Sequence, residues 1–570
     1  MQPNTKLFNM KKKINGILTL VLVFVVQLSF AQEKSISGTV VDETNLPLPG
    51  ATVIIKGTAT GASTDFDGKY NINVNSGDIL VFSYVGYADQ EASVGIDNTI
   101  NISLVPDNTL EEVVVTALGI KRKPDEVTTA TQVVKGDKIN EGANPNAVQA
   151  LAGKVSGLQV NTSSTGVSGG NTSIVLRGVK SISGGSEALV VIDNVISSST
   201  VLETLDPKTI ESINVLKGAN GAALYGNRGG NGVVIVTTKK GSKGTDKFTV
   251  DLNSTISIEE IAFLPQMQNR YGKGYWGEID SFDQGSWGPE YDGSTQVVGT
   301  PYPTVTDWRY NTYEHIDDNM KPFFNTGTTY QNSVTISGGN VNNGYANLTL
   351  SKRESEGVIP DDVYKRDFLS LNSGKKLGKL TVSGIARYTS TRSNTVSAYN
   401  TDSSTDLSDE RNVYQQLAQL PGNVDITQFS SGSNDDHWTV FGDSPYWVLK
   451  NSRLASRTNI FDLTGELSYE INKNIGLTLR SNLRNTDNNY TDYLNEYTET
   501  NSVTGDARDR QSNLEIQLST ARTLTTDFIS TFDYDLTENI SLSALAGANI
   551  SETQSRLLNN FGTDLTIPGW

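Results

Sequence analysis

The chain has 570 residues, a length that predicts several domains rather than one. Its formal net charge of −17 argues against nucleic acid as a partner, since nucleic acid binds clustered Lys and Arg. The sequence contains no cysteine and only two histidines, His315 and His437. A Cys/His zinc site, a cysteine nucleophile and disulfide bonds are therefore excluded, and we predict neither a metal site nor a cofactor.

The first 31 residues have the features of a secretory signal peptide. Three lysines at positions 11–13 precede an apolar run over 14–30, and the small residue Ala31 stands before Gln32. We predict cleavage between Ala31 and Gln32. A membrane-anchoring helix is the alternative, but it needs about 20 apolar residues and this run is shorter. No other apolar stretch could form a helical span, so an integral protein of this sequence has to be a barrel.

Residues 35–105 are predicted to form a small all-β domain. Short β-rich runs cover positions 36–41, 51–56, 69–74, 79–84 and 99–104. Turn sequences such as Pro47-Leu48-Pro49-Gly50 separate them. Five or more strands at this spacing indicate a β-sandwich.

A short segment and linker follow at residues 110–123. The segment contains Glu111-Glu112-Val113-Val114-Val115-Thr116, and basic residues stand at 121–123. Three consecutive valines favour an extended backbone, so this segment could add as a strand to the sheet edge of another protein. An ordinary strand of the preceding domain is equally compatible with the local sequence.

Residues 124–241 are predicted to form a mixed α/β domain. A short helix is expected near 146–151, and strands are expected at 174–177, 188–193, 210–216 and 233–238. Glycine is frequent between these elements. No Gly-Lys-Ser/Thr closes any of the glycine-rich loops, which argues against nucleotide binding.

From residue 247 to 570 the sequence alternates between apolar and polar residues. The pattern recurs at 248–258, 346–350, 380–388, 461–469, 475–483, 514–518, 528–536 and 540–550, and it predicts about ten strands. Tight polar turns at 472–474 and 537–539 contrast with long polar segments at 265–327, 391–457 and 487–511. Strands with one apolar face, joined by alternately short and long connections, are typical of a transmembrane β-barrel. Alternation alone also fits a soluble two-sheet protein; the signal peptide and the loop asymmetry favour the barrel.

The most specific motifs of the chain lie at residues 206–219 and 222–233. With shorter motifs at 151–160, 176–178 and 190–195, they resemble the plug of SusC/RagA-type TonB-dependent transporters, and residues 35–105 resemble carboxypeptidase-regulatory-like domains. The motif residues that we single out are Arg177, Gly178, Lys217, Gly218, Tyr225, Gly226, Arg228 and Gly232. The resemblance implies a mainly β fold: a β-sandwich, a mixed α/β plug domain and an antiparallel transmembrane β-barrel.

The same resemblance implies a function and its partners. A large nutrient, oligosaccharide or peptide, would be imported across the outer membrane of a Gram-negative bacterium, with TonB, ExbB and ExbD supplying energy from the proton gradient. A SusD-like surface lipoprotein would cover the transporter, and residues 111–116 would form the TonB box. Such a protein is not an enzyme.

Further residues are candidates for plug seating and for ligand contact. Arg177 and Arg228 are candidates for ion pairs between plug and barrel wall, although exposed arginines on the plug surface would have the same pattern. Aromatic side chains in loop-like sequence could stack on sugar rings or hold peptide side chains, and packing within the loops is the equal alternative. They are Tyr271, Tyr275, Trp276, Trp287, Tyr446 and Trp447.

The chain departs from the family slightly at residues 116–119, where relatives often continue in Gly and Tyr, and more clearly in its number of barrel strands. Relatives have a barrel of about 22 strands, whereas the alternation here predicts about ten. An open half-barrel would expose sheet edges to lipid, so we expect this sequence to be part of a longer protein.

Two other functions remain as alternatives. An outer-membrane signalling receptor would share the plug and the barrel, but its N-terminal extension would differ from the regulatory-like domain. A secreted glycan-active enzyme would need two carboxylates about 5 or 9 Å apart, and no compact motif supplies such a pair.

Overall fold

The computed structural model describes residues 34–570 apart from several segments. The segments left out are 59, 85–86, 106–113, 116–120, 123–130, 143, 145, 163–166, 168–171, 182–184, 219, 242–247, 302–305, 341, 398–412, 435, 501–506, 511, 538–539, 564 and 566–570. The chain divides into two compact units between positions 113 and 114. The predicted signal peptide, with Ala31 and Gln32, lies outside the described residues.

The first unit is a small β domain with its own core. Its strands are β1 (Lys34–Val41), β2 (Thr52–Ile55), β3 (Gly61–Ser63), β4 (Lys69–Val74), β5 (Ile79–Ser83), β6 (Gln90–Ser93) and β7 (Ile102–Ser103). They form two sheets in the orders β4-β1-β7 and β3-β2-β5-β6. Alternate side chains point between the sheets, so that Val40, Val53 and Phe82 are fully buried. The two sheets and this shared core match the predicted β-sandwich.

The second unit begins with a pair of two-residue strands and a mixed α/β domain, which we call the plug domain. The strands are β8 (Val114–Val115), β9 (Lys121–Arg122), β10 (Thr131–Lys135), β11 (Leu158–Thr162), β12 (Thr172–Leu176), β13 (Leu189–Ile192), β14 (Val195–Ser197), β15 (Ile210–Leu216) and β16 (Val233–Thr238). The central sheet has the order β10-β15-β16-β13-β14, and β11 pairs with β12. Short helices lie at Gly136–Asn140, Ser199–Thr204 and Asn220–Tyr225, with 3-10 turns at Gln149–Leu151, Pro207–Thr209 and Gly226–Gly229.

A nine-stranded antiparallel sheet, which we call the wall, follows the plug domain. Its strands are, in sheet order, β17 (Thr249–Glu259), β20 (Gly327–Asn340), β21 (Gly344–Glu356), β22 (Val363–Leu377), β23 (Leu380–Val396), β24 (Ser452–Asn472), β25 (Ile475–Leu494), β28 (Asn513–Thr537) and β29 (Ile540–Thr563). Every strand pairs with its neighbour along the chain within this sheet. The mainly β fold class is confirmed.

The period of two decides which side chains meet the plug domain. In β22, Arg366 and Phe368 face inward and are buried, whereas Lys365 and Leu369 face outward and are exposed. Phe368 belongs to the hydrophobic core of the plug domain itself. The inner face of the wall is therefore continuous with the plug core.

The two ends of the wall differ in their connections. At one end, the short-turn end, neighbouring strands are joined across positions 341–343, 378–379, 473–474 and 538–539. The other, the long-loop end, has the connections 260–326, 357–362, 397–451 and 495–512. The long connections contain strands β18 (Thr295–Val298), β19 (Arg309–Thr312), β26 (Tyr497–Thr500) and β27 (Ala507–Arg510), helices Val413–Ala418 and Pro445–Asn451, and 3-10 turns Lys321–Phe323 and Ile426–Phe429.

The described residues contain nine wall strands, against a prediction of about ten. The segments predicted separately at 514–518 and 528–536 are one strand, β28, of 25 residues. Conversely, β20 and β22 were not singled out, because their outward faces carry polar residues such as Asn332, Lys365 and Asp367. Among the described residues no helix is sufficiently long and apolar to cross a membrane.

Candidate functional site

The interface between plug domain and wall contains a buried ion pair at a tight hairpin. Strands β13 and β14 are joined by Asp193 and Asn194, whose φ angles of 46° and 70° suit a two-residue type I′ turn. The Asp193 carboxylate accepts hydrogen bonds from the Thr238 amide at 2.8 Å and from its hydroxyl at 2.9 Å. It also pairs with the guanidinium of Arg387 on β23, and both side chains are at most 8% exposed.

A second buried contact lies at the turn that precedes β15. Asp206 caps this turn by accepting a hydrogen bond from the Lys208 amide at 2.9 Å. Its Oδ2 lies 3.8 Å from Nη2 of Arg366 on β22 and accepts from Gln331 Nε2 at 3.2 Å. Both charged side chains are fully buried. Arg366 also donates to the carbonyl of Leu205 at 3.3 Å, so one wall arginine holds both the backbone and the side chain of this turn.

Further wall side chains contact the plug domain along the same inner face. Arg353 donates to the Val167 carbonyl at 3.3 Å, and Arg484 donates to the Ser197 hydroxyl at 3.0 Å. In the two ion pairs that the described residues form between these parts, the plug domain supplies the carboxylate and the wall supplies the arginine. Burying such a pair removes both charges from water, so its net stabilisation of the fold is small. Removing one partner leaves the other charge buried without a counter-ion, which destabilises the fold by about 3–5 kcal/mol. The pairs thus specify one seated position.

The predicted plug-to-wall roles of Arg177 and Arg228 are not supported. Both side chains are exposed, and in the described part of the chain neither takes part in an ion pair. Arg177 has a φ of +61°, and its guanidinium lies over Gly218 within the plug domain. The alternative, arginines on the plug surface, describes their placement.

The glycines of the plug motif allow turns and close backbone contacts. Gly178, Gly218, Gly226 and Gly232 have φ values between +65° and +98°, which only glycine adopts readily. A Cβ on Gly229 would stand 2.2 Å from the carbonyl oxygen of Gly221. The helix at Asn220–Tyr225 and the turn at Gly226–Gly229 therefore pack backbone to backbone.

The other two motif residues lie beside the central sheet of the plug domain. Lys217, at the end of β15, donates to Gln132 Oε1 of β10 at 3.0 Å. Tyr225 is half-buried and packs against a second apolar cluster that contains Val191, Val233 and Ile235. Both residues contribute to the packing of the plug domain.

The predicted TonB-box segment is described only in part. Val114 and Val115 form strand β8, which pairs antiparallel with Lys121 and Arg122 of β9. A strand paired on one side keeps its other edge open to a further strand. Glu111, Glu112, Val113 and Thr116 lie outside the described residues.

Two long connections at the long-loop end fold together around one apolar core, which we call the loop core. Val298, Phe323, Leu420, Phe429, Trp438 and Trp447 are among its buried members. Cross-links join connection 260–326 to connection 397–451: Arg309 pairs with Asp436 at 2.6 Å and lies over the ring of Phe429 at 4.6 Å. The Lys273 amide donates to Asn423 Oδ1 at 2.7 Å.

Lys273 is the buried cation of this region. Its ammonium donates to the Trp438 carbonyl, and its side chain is fully enclosed. Burial lowers the pKa of Lys273 from 10.5 to about 7, against the opposing attraction of Asp280 and Asp283. Burial likewise raises the pKa of the Tyr291 phenol to about 12.

The candidate ligand-contact aromatics divide into two groups. Tyr275, Trp276 and Trp287 are 51%, 83% and 69% exposed, and the first two rings pack edge to face with centroids 5.6 Å apart. Trp447 instead is fully buried in the loop core, where its indole donates to Asn434 Oδ1 at 2.9 Å. Tyr446 is half-buried beside Phe323. Trp447 therefore corresponds to the alternative of loop packing, because no ligand reaches it while the core is intact.

A cavity of about 650 Å³ lies beside this region, between residues 261–269 and 315–321. Its lining includes Met267, Asn269, His315, Asp317 and Asp318. Among the described residues no group of three or more His, Cys, Asp or Glu side chains is arranged to hold a metal ion. A ligand in the cavity would meet polar side chains that can form hydrogen bonds, such as Asn269 and Asp317, and apolar ones such as Met267.

Four interface residues were not predicted as site residues: Asp193, Asp206, Arg366 and Arg387. The arginines could have been found from the sequence by looking for a charged residue at an inward position of a wall strand. Arg366 and Arg387 occupy such positions, because outward apolar residues such as Leu369 and Tyr388 alternate with them. Which plug residue each arginine meets depends on the seating of the whole domain.

A mixed α/β domain held by buried ion pairs against an antiparallel β-wall is the arrangement expected of a TonB-dependent receptor. Family profiles agree: one described as the CarboxypepD_reg-like domain matches residues 36–115, and one described as the TonB-dependent Receptor Plug Domain matches residues 123–233. The chain therefore resembles the SusC/RagA-type TonB-dependent receptors over these two domains.

The curated relatives that this chain resembles are TonB-dependent receptors. The chain is 44% identical over 234 residues to TonB-dependent receptor P26 of Formosa agariphila, covering 41% of this chain and 23% of that protein. It is 32% identical over 352 residues to TonB-dependent receptor SusC of Bacteroides thetaiotaomicron, covering 60% of this chain and 32% of that protein. The chain thus spans about a quarter to a third of these relatives' own length.

A solved structure shares the fold. The RagAB peptide importer in its open-open state superposes with a TM-score of 0.60 at 19% identity, covering 79% of this chain and 50% of that chain. At this level of identity the likeness concerns the fold alone.

Proposed function

We propose that the protein imports a large nutrient across the outer membrane of a Gram-negative bacterium, driven through TonB by the inner-membrane proton gradient. One observation carries this proposal: a separate plug domain is seated on the inner face of the wall by the buried pairs Asp193–Arg387 and Asp206–Arg366. A seat made of few ion pairs is specific, and it is also reversible when a force acts on it.

The outward face of the wall suits a lipid environment. Leu350, Leu369, Tyr388 and Phe461 stand in one cross-strand row and are 39–46% exposed. Apolar outward positions and satisfied backbone ladders are what a membrane-spanning strand requires. The long-loop end then faces the cell exterior and the short-turn end faces the periplasm.

Energy enters through residues 110–117. A strand of TonB adds to Val114 and Val115, and the hydrogen bonds along the strand share the pulling force. The chain leads from this segment to β10, the terminal strand of the plug sheet. The pull therefore acts first on β10 and then on the seat of the plug domain.

The substrate is an oligosaccharide or a peptide, which a SusD-like lipoprotein holds against the long-loop end. The exposed rings of Tyr275, Trp276 and Trp287 supply stacking surfaces for sugar rings or apolar side chains. The nearby cavity of about 650 Å³ lies within the usual size of ligand sites. RagAB is a peptide importer, and exposed aromatic rings suit sugar rings equally well, so both classes belong in the test.

The experiment removes the tether and leaves the ligand site intact. A deletion strain is first grown on single oligosaccharides and peptides to find the nutrient that needs this protein. Deleting residues 110–117 should then abolish uptake of that nutrient while surface binding persists. Replacing Val114 and Val115 by proline should act in the same way, because proline cannot donate to a ladder, whereas the matched threonine pair should retain uptake.

Uptake that persists in the proline variant would contradict the energised mechanism. Loss of a transcriptional response with uptake unchanged would instead favour a signalling receptor. Cleavage of an oligosaccharide by the purified protein would favour the enzyme.

A further inference from the structure

Three cations stand side by side on the outward face of the wall. Lys365 of β22 lies directly opposite Arg392 of β23, and Arg392 lies directly opposite Arg457 of β24. All three side chains are exposed. Neighbouring strands are about 4.8 Å apart, so the row places three positive charges within about 10 Å.

Protein carboxylates compensate this row only in part. Lys365 lies 3.9 Å from Glu354, and Glu354 is held more closely by Lys352 at 2.9 Å. In the part of the chain that the structure describes, neither Arg392 nor Arg457 forms an ion pair. Like charges directly opposite each other destabilise a sheet. An arrangement of this kind on a chain with a net charge of −17 indicates that an anion covers it.

The neighbouring row, two residues further from the long-loop end, is mixed in charge. There Lys352 stands opposite Asp367, and Asn459 stands opposite Asp487. Asp367 and Asp487 thus lie beside the row of cations, on the side that faces the short-turn end. Toward the long loops, the next row has one carboxylate, Glu356 beside Lys365, whereas Asn394 and Ala455 are the uncharged neighbours of Arg392 and Arg457.

The row of cations also has a fixed height above the apolar belt. Leu369, Tyr388 and Phe461 oppose one another in the same way, four residues further from the long-loop end on the same three strands. At about 3.3 Å per residue the cations stand about 13 Å above this belt. The Tyr388 hydroxyl donates to Asn459 Oδ1 at 3.2 Å, so its polar tip points toward the polar rows. A lipid beside the wall would have its acyl chains at the level of the apolar row and its phosphate groups nearer the long loops, at the level of the cations.

We infer that Lys365, Arg392 and Arg457 bind the phosphate groups of an anionic lipid in the outer leaflet, whose acyl chains lie on Leu369, Tyr388 and Phe461. Guanidinium groups suit phosphate because their donors form a planar fork that can bind two oxygens at once. Continuity with the apolar belt selects a lipid rather than a free anion. The inference rests on the proposed function, because it needs the wall to lie in the membrane.

The test compares two variants that lose the same charge. One carries Lys365→Gln, Arg392→Gln and Arg457→Gln. The control carries Lys375→Gln, Arg522→Gln and Arg556→Gln, which are also outward positions but are not aligned opposite one another. The full-length proteins are purified from outer membranes, placed in phosphatidylcholine nanodiscs that contain diphosphoryl lipid A, and assayed for bound lipid. Dephosphorylated lipid A and free inorganic phosphate serve as competitors.

The native protein and the control should retain diphosphoryl lipid A, and the aligned variant should bind it roughly a hundredfold more weakly, at about fivefold per cation. Dephosphorylated lipid A and inorganic phosphate should compete poorly. Equal retention by both variants, equal loss in both, or competition by free phosphate alone would overturn the inference. A native protein that is not recovered from the outer membrane would overturn the proposed function itself, and an outer-membrane protein with unaltered lipid binding in the aligned variant would overturn this inference only.

Discussion

Asp193 of the plug domain and Arg387 of the wall form a buried ion pair across the interface along which the plug domain would have to move. The carboxylate also accepts two hydrogen bonds from Thr238, which is the last residue of strand β16 in the central sheet of the plug domain. The same side chain thus shapes the plug domain and seats it. Movement of the plug domain would separate two charges that the fold has removed from water.

Replacing Asp193 by alanine should loosen the plug domain without unfolding the wall. Arg387 would be left buried without its carboxylate, at a cost of about 3–5 kcal/mol. Hydrogen exchange in β13 and β14 should accelerate, and a hydrophilic antibiotic that is too large for porins should enter cells more easily. Adding Arg387→Met should recover part of the protection, because it removes the stranded charge.

The control for this experiment is Arg228→Ala. Arg228 is exposed, and removing it should change hydrogen exchange in β13 and β14 very little. Protection in Asp193→Ala equal to that of the native protein would mean that the ion pair does not hold the seat.

Gly229→Ala should destabilise the plug domain by steric overlap alone. The new Cβ would stand 2.2 Å from the Gly221 carbonyl oxygen, and backbone on both sides prevents a small adjustment. Overpacking of this kind costs about 1–3 kcal/mol, so the plug domain should become sensitive to protease at lower denaturant concentration. Gly185→Ala is the matched control because nothing lies within 4 Å of its Cβ; equal sensitivity of the two variants would refute the close contact.

Trp276 and Trp447 should respond to alanine in opposite ways. Trp276 is 83% exposed, so Trp276→Ala should weaken nutrient binding by several-fold and leave the protease resistance of the long loops unchanged. Trp447 is fully buried in the loop core, and Trp447→Ala should cost about 3–5 kcal/mol of local stability. Binding titrations and limited proteolysis separate the two effects. Normal nutrient binding by Trp276→Ala would remove this residue from the ligand site.

The loop core should become more stable as the pH rises from about 7 to about 10. Burial lowers the pKa of Lys273 to about 7, whereas an exposed lysine keeps its proton to about 10. The unfolded loop therefore holds more protons than the folded loop in this window, and stability increases with pH. Lys273→Met should flatten the pH dependence of hydrogen exchange in residues 270–300. The exposed Lys321→Met is the control, and an unchanged slope in Lys273→Met would show that another group titrates.

The sequence predicted most of the regular structure, because the period of two persists wherever one face of a strand meets a different environment. Strands β15 and β16 have the predicted limits of residues 210–216 and 233–238. The turn at 472–474 joins β24 and β25 as expected. The pattern was weakest in β22, where Lys365 and Asp367 occupy outward positions, and of these two the lipid inference assigns a role to Lys365.

The seating contacts could not be predicted from local sequence. Asp206 and Arg366 lie far apart in the chain, and alternation shows only that Arg366 faces inward. Arg177 and Arg228 were the predicted partners on the plug domain, whereas in the structure the carboxylates of Asp193 and Asp206 pair with arginines of the wall. The placement of Trp447 on a short helix could have been predicted from Ser444 and Pro445, which are typical of a helix start. The Ser444 hydroxyl accepts a hydrogen bond from the Tyr446 amide, and Trp447 is one of the buried residues of this helix.

The most direct test of the account is a reversible covalent bond between plug domain and wall. Gly357 is the first residue after wall strand β21, and a Cβ on it would lie 3.3 Å from Cβ of Val167, close to the separation of about 3.5–4.5 Å in disulfides. These 570 residues contain no cysteine, so Val167→Cys with Gly357→Cys introduces one pair into this part of the protein. Oxidation should stop nutrient uptake while surface binding persists, reductant should restore uptake, and neither single-cysteine variant should respond. Uptake at the native rate by the fully oxidised pair would contradict the claim that the plug domain must leave its seat.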